Sequence, residues 1–237
     1  MGVPAKEITK MRANGVITLT IVFALACVAD SPVPQVRLER IEWSDVWVVD
    51  ADRDDLPKVL LVGDSIVKGY YDQVEEALSG KAACARYATS KFLGNPDYLA
   101  ELGLLLKRHR FDVVHINNGL HGWDYSEEEY RQGLVDLLTV LRRDAPQAKI
   151  IWCMTTPVRS SKDLSQFDGI QNDRVLARNK IAEDVMGAAG IPVNDLYETV
   201  KDHPDYFAGD GVHYNDQGRA AQAAQVAAAI VRTLGGG

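Results

Sequence analysis

Cysteine is scarce in this chain: its 237 residues hold three, Cys27, Cys84 and Cys153. So few thiols cannot build the framework of a disulfide-stapled domain, and a chain of this length can bury a sizeable core without one. Cys84 and Cys153 sit in apolar runs and read as buried free thiols, with no metal-ligand spacing around either. Clustered positive charge is also missing. Lys and Arg number 26 against 33 Asp and Glu, a formal net charge of -7, and no long basic stretch occurs. Sequence-independent binding to phosphate backbones needs such a cluster, so nucleic acid is not an expected partner. There is no internal repeat and no domain linker. Apart from the N-terminus, no apolar run approaches the roughly 20 residues of a membrane-spanning helix.

That N-terminus differs from the rest. Lys6, Lys10 and Arg12 precede the apolar run VITLTIVFALACVA, residues 16–29. A basic region, a short apolar region and then small residues form the pattern of a secretory signal, with cleavage expected before Asp30. The alternatives are a single membrane anchor, for which the run is short, and a lipoprotein anchored at Cys27. The expected division is a signal peptide over 1–29, an extension with edge strands over 30–55 and the main domain over 56–237. Export to the periplasm or the extracellular space follows, with no stable membrane insertion of the mature domain.

The rest alternates strand-like and helix-like segments. Short apolar runs at 58–62, 84–88, 111–116, 149–154 and 191–193 read as strands. Helical periodicity marks 71–78, 99–106, 127–141 and 173–186, and an alanine-rich helix closes the chain over 216–234. Ser126 and Glu129 form a capping box ahead of the third helix. Such alternation predicts a three-layer α/β/α fold with a mostly parallel sheet. A mixed segment at 35–49 reads as one or two edge strands. The polar stretch 160–170 reads as a rim loop over a pocket.

Four places carry groups capable of chemistry. In LPKVLLVGDSIVKGYY an apolar strand ends in Gly63-Asp64 and places Ser65 at the strand's carboxyl end. A crevice usually opens there in parallel α/β sheets. A serine hydroxyl needs a base to become a nucleophile, and Ser65 or Asp64 can equally be a simple helix cap. In FAGDGVHYNDQG, Asp210 and His213 stand three apart on a turn entering the last helix. A histidine can take a serine proton near neutral pH, and a carboxylate can orient it. In FDVVHINNGLHGWDY, a strand runs into Asn117, Asn118 and His121, candidate donors to an oxyanion, while His115 reads as a core or interface histidine. In TSKFLGNPDY, Gly94 allows close approach of a backbone N–H to a bound carbonyl.

In that order, these blocks resemble the SGNH, or GDSL-type, hydrolase family. GDSI at 63–66 is similar to its nucleophile block and DGVH at 210–213 to its final Asp-x-x-His block. Gly94 falls where the family carries an oxyanion-hole glycine, and GLHG at 119–122 where many members have Gly-x-Asn-Asp. His121 therefore replaces the oxyanion asparagine, and Gly122 replaces an aspartate. The resemblance implies a flavodoxin-like three-layer fold and a serine esterase. Ser65 would be the nucleophile, His213 the base and Asp210 its orienting carboxylate. The oxyanion hole would draw on the N–H groups of Ser65 and Gly94, with His121 or Asn118. No metal and no organic cofactor is implied. A small acyl ester, favoured as an acetylated carbohydrate, is the expected substrate, with Tyr70, Tyr71, Trp123 and Tyr125 as aromatic rim candidates. A lipase or thioesterase of the same family and a noncatalytic carbohydrate-binding or assembly protein are the alternatives. The sequence leaves the oligomeric state open.

Overall fold

The computed structural model describes residues 36–235 together with the first two residues. The apolar segment 16–29, its cleavage position and Cys27 lie outside the described residues. In chain order the elements are β1 (Ser44–Val48), β2 (Lys58–Gly63), α1 (Ser65–Ala77), β3 (Ala83–Thr89), α2 (Pro96–Arg108), β4 (Val113–Ile116) and α3 (Glu127–Asp144). There follow β5 (Lys149–Cys153), β6 (Arg159–Ser160), β7 (Asp163–Phe167), α4 (Gly169–Ala188), β8 (Val193–Asn194), α5 (Leu196–Val200) and α6 (Asp216–Gly235).

The main sheet has the order β1-β3-β2-β4-β5-β8, parallel throughout except for β1, which lies antiparallel to β3 at one edge. Val59, Leu60, Leu61 and Val62 of central β2 are all fully buried. A strand covered on both faces has no side that calls for polar residues, which explains the unbroken apolar run. Helix α1 packs on α6, and α5 on α6; α2 packs on α3, and α3 on α4. The chain leaves β2 through α1 to reach β3 on one side, then returns through α2 to β4 on the other. The connections thus diverge at the carboxyl ends of β2 and β4, where a crevice opens in such sheets.

Local capping decides several boundaries. Helix α1 starts at Ser65 rather than near residue 71, because the Asp64 carboxylate accepts the Ile66 N–H at 2.9 Å. Asp168 caps α4 in the same way, so that helix begins at Gly169 rather than at 173. The capping box of Ser126 and Glu129 is present at α3. Residues 160–170 do not form the expected open rim loop. They make the β6–β7 hairpin and the first residues of α4. Arg159 holds this hairpin in place: nearly fully buried, it donates to the carbonyls of Leu164 and Lys201 between the Phe167 and Phe207 rings. Cys84 and Cys153 are free and buried, and burial pushes the Cys84 thiol up to about 12.

His115 on β4 is fully buried, and burial lowers its pKa from 6.5 to about 4. Its tautomer follows from its neighbours. Gln225 Nε2 donates to the Asp195 carbonyl and to Asn194 Oδ1, which turns Asn194 Nδ2 toward His115 Nε2 at 3.0 Å. Nε2 is therefore the acceptor and the proton sits on Nδ1. The unfolded chain takes up a proton near pH 6.5, whereas the folded chain resists until about pH 4. Stability attributable to this group is complete above pH 6.5 and falls as the pH drops through that window, by on the order of 3 kcal/mol. Urea melts at pH 7 and pH 4 should show the decline, and His115→Gln should flatten it; an unchanged slope in the variant removes His115 as its source.

Candidate active site

Ser65 is the first residue of α1, directly beyond β2. Gly63 lets the strand exit tightly: a Cβ there would meet Val67 Cγ2 at 2.3 Å. Because Ser65 opens the helix, its own N–H has no carbonyl of a preceding turn to bond, and the helix dipole adds partial positive charge beside its hydroxyl. Ser65 Oγ lies 2.8 Å from His213 Nε2, across 148 residues of chain. His213 Nδ1 lies 2.6 Å from Asp210 Oδ2. The structure thus brings Ser65, His213 and Asp210 into one hydrogen-bonded line.

The turn carrying Asp210 and His213 is built by its own polar groups. Asp210 Oδ1 accepts the N–H groups of Val212 and His213, both at 2.9 Å, which leaves Oδ2 for the imidazole. Burial raises the Asp210 carboxyl, but the hydrogen bond from His213 and the two backbone N–H groups outweigh it and lower the pKa overall. Asp210 is held as the carboxylate that an orienting partner must be. Gly211 has φ +77°, and a Cβ there would lie 2.1 Å from the Arg159 carbonyl oxygen. That same backbone meets the turn through Arg159 N–H donating to Gly211 O at 2.8 Å. The β6–β7 hairpin is therefore a brace under the Asp-His turn. Gly211→Ala should displace the turn, because the obstacle is backbone and cannot swing away. The expected result is a fall in kcat of about a hundredfold with a melting temperature lower by several degrees; kinetics at wild-type level would show that the brace does not set the turn.

The remaining expected residues are placed less simply. Asn117 spends its amide on the Cys153 carbonyl at 2.7 Å and Thr155 Oγ1 at 3.1 Å. Asn118 Nδ2 donates to the Lys91 carbonyl at 2.9 Å and thereby ties β4 to the loop after β3. Gly94 lies in that loop, backed by α3: a Cβ on Gly133 would come within 3.2 Å of Gly94 N. His121 turns its Nδ1 toward Glu39, 3.6 Å away, and the same carboxylate accepts the Gly122 N–H at 2.7 Å. Replacing aspartate by Gly122 does not loosen this loop. Gly122 has φ +70° and packs so closely on Phe92 that a Cβ would lie 2.4 Å from the ring.

The aromatic rim requires correction. Tyr70 is 1% exposed, because its position on α1 turns it toward the sheet; Tyr71 and Tyr125 are buried too. Trp123 is half-buried with the guanidinium groups of Arg174 and Arg178 over its ring, and it does not line the cavity at Ser65. That cavity, about 610 Å³, has Trp43 in its wall instead. Trp43 comes from the segment before β1, which crosses the site through Glu39 to Gly122 and Trp43 to Ser90. Sequence reasoning also missed Arg178. Fully buried on α4, it donates to the carbonyls of Gly119 at 2.9 Å, His121 at 2.7 Å and Gly122 at 2.8 Å. An arginine on a surface-like helical pattern gave no sign of this role.

A parallel three-layer sheet with a Ser-His-Asp line at the carboxyl end of its central strand defines a serine hydrolase of the α/β/α type. The chain belongs to the GDSL-like lipase/acylhydrolase family, whose model matches residues 61–221. Comparison with curated proteins finds no match. Among solved structures, a lipase/acylhydrolase from Enterococcus faecalis is 22% identical, with 73% of this chain and 95% of that one covered and a TM-score of 0.59. An aryl esterase from M. smegmatis is 12% identical, with 75% and 99% covered and a TM-score of 0.64. A carbohydrate acetylesterase from Sinorhizobium meliloti is 13% identical, with 74% and 98% covered and a TM-score of 0.62. These likenesses bear on the fold; the family match makes the chain an ester hydrolase of the GDSL type. Among the described residues no helix is long and apolar enough to cross a membrane.

Proposed function

We propose that the protein removes a small acyl group, acetyl in the favoured case, from an esterified carbohydrate. The observation that carries the chemistry is the line from Ser65 Oγ through His213 to Asp210, at 2.8 and 2.6 Å. Ser65 Oγ attacks the acyl carbonyl as His213 Nε2 takes its proton. The ester C–O bond breaks, and His213 returns that proton to the leaving alcohol. Water, deprotonated by His213, then attacks the acyl-enzyme, and Ser65 recovers its proton as the carboxylic acid leaves. Asp210 keeps the imidazole in the tautomer whose Nε2 faces serine. The N–H groups of Ser65 and Gly94 hold the oxyanion in this reading. His121 completes the hole in preference to Asn118, whose amide is engaged with Lys91 O.

The carbohydrate preference is supported by a structural neighbour described as a carbohydrate acetylesterase. It is also supported by the signal-like N-terminus, which in this reading exports the protein to where glycans are met. A fluorophosphonate probe and acetate release from mono-O-acetylated sugars test the proposal together. Labelling at Ser65 with acetate release is expected. Folded protein that neither labels nor releases acetate would instead be a noncatalytic member of the family.

A further inference from the structure

The cavity beside Ser65 and His213 runs between the first turns of α1 and α6. Gln222 of α6 is one of its lining residues, fully buried, and neither its Nε2 nor its Oε1 has a partner among the described residues. A buried amide with both ends unpaired costs stability, so a fold that keeps one invites a ligand able to satisfy it. A donor and an acceptor on one carboxamide match a hydroxyl, which gives one hydrogen bond and receives another. The other walls suit the same kind of ligand. Trp43 offers an aromatic surface, with Lys68 Nζ 5.2 Å from its ring centroid. Lys68 and Arg219, paired with Asp45 and Asp216, stand at the mouth, and among the described residues no carboxylate lines the cavity.

The position within the reaction is fixed by His213. A leaving alcohol departs on the side of the base that protonates it. His213 lines this cavity, whereas Gly94, Asn118 and His121 do not. Resting on the Ser65–His213–Asp210 reading, we infer that the α1/α6 cleft is the subsite for the alcohol half of the ester, a sugar ring whose free hydroxyl pairs with both ends of the Gln222 amide while the ring lies against Trp43.

The test compares the wild type, Gln222→Met and Trp43→Ala on mono-O-acetylated glucose, galactose and xylose, with p-nitrophenyl acetate as the sugar-free ester. The readout is the ratio of kcat/KM for the preferred acetyl sugar to that for p-nitrophenyl acetate. In Gln222→Met this ratio should fall by about tenfold or more, while the melting temperature rises by about 2 °C or more, since a thioether of similar length leaves no unpaired amide. Trp43→Ala should lower the same ratio through KM. A Gln222→Met ratio equal to that of the wild type, or a lowered melting temperature with both substrates equally impaired, overturns the subsite and makes Gln222 a structural residue. A wild type that cleaves p-nitrophenyl acetate but no acetyl sugar also overturns it. Absence of turnover on every ester overturns the catalytic reading itself, and the inference with it.

Discussion

Ser65→Ala is expected to abolish turnover, with kcat falling by about 10⁴-fold or more, while the melting temperature stays within about 2 °C of the wild type. The two expectations have separate causes. The hydroxyl's hydrogen-bond partner among the described residues is the His213 ring, and Ser65 is half-exposed, so its removal orphans no buried group. The proposed chemistry, however, loses the atom that would form the acyl-enzyme. Asp210→Asn provides a finer result. Its Oδ1 can still accept from Val212 and His213, so the turn survives. An amide NH₂ now faces Nδ1 where Oδ2 stood, which forces the proton to Nε2 and removes the base. A loss of about 10³- to 10⁴-fold is expected, with near-wild-type circular dichroism. Full activity in Ser65→Ala, measured as acetate release and as fluorophosphonate labelling, would end the serine mechanism. Acid should act on the wild type in a related way: with its pKa lowered, the Asp210 carboxylate orients His213 at neutral pH and loses that role as the pH falls through the lowered value.

Arg178→Met has the largest expected effect on stability. One guanidinium supplies hydrogen bonds to three carbonyls of the 119–122 loop and lies within 5.4 Å of the centroids of the Phe92, Trp123 and Tyr130 rings. Burial pulls its pKa down to about 10, which still leaves it charged at neutral pH. Methionine fills much of the volume but leaves the Gly119 and His121 carbonyls without donors, and Gly122 O with only the Tyr125 N–H at 3.1 Å. A loss of about 3–5 kcal/mol is expected, or a melting temperature about 10 °C lower. Lysine should not rescue it, because one ammonium on a flexible stem cannot reproduce the planar fork. The loop holds His121, so activity measured below the new melting point should fall too. A variant with unchanged thermal and urea midpoints would show that the loop's carbonyls find other donors and that Arg178 is dispensable.

Much of the molecule was open to reading from its residues. Central strand β2 was legible because a strand buried on both faces leaves an uninterrupted apolar run, as 59–62 does, whereas edge strand β8 leaves Val193 exposed and lies at Val193–Asn194 rather than 191–193. Ser65, Asp210 and His213 were legible as candidates because GDSI and DGVH, in that order, resemble family blocks; the local geometry of Gly63, Asp210 and Gly211 is consistent with them. Helix starts were read late where a single side-chain cap, Asp64 or Asp168, extended the helix beyond its apolar stripe.

By itself, then, the sequence determined the three-layer α/β class through periodicity, and the family through the order of the GDSI and DGVH blocks, which also singled out Ser65, Asp210 and His213 as candidates. Only the tertiary structure decided that Ser65 and His213 meet at 2.8 Å, that Tyr70 faces the core, and that Trp43, Gln222 and Arg178 surround the site or its loops. Those residues come from separate segments whose approach depends on how α1, α4, α6 and the segment before β1 pack. Packing of distant elements leaves no periodic trace in any one of them.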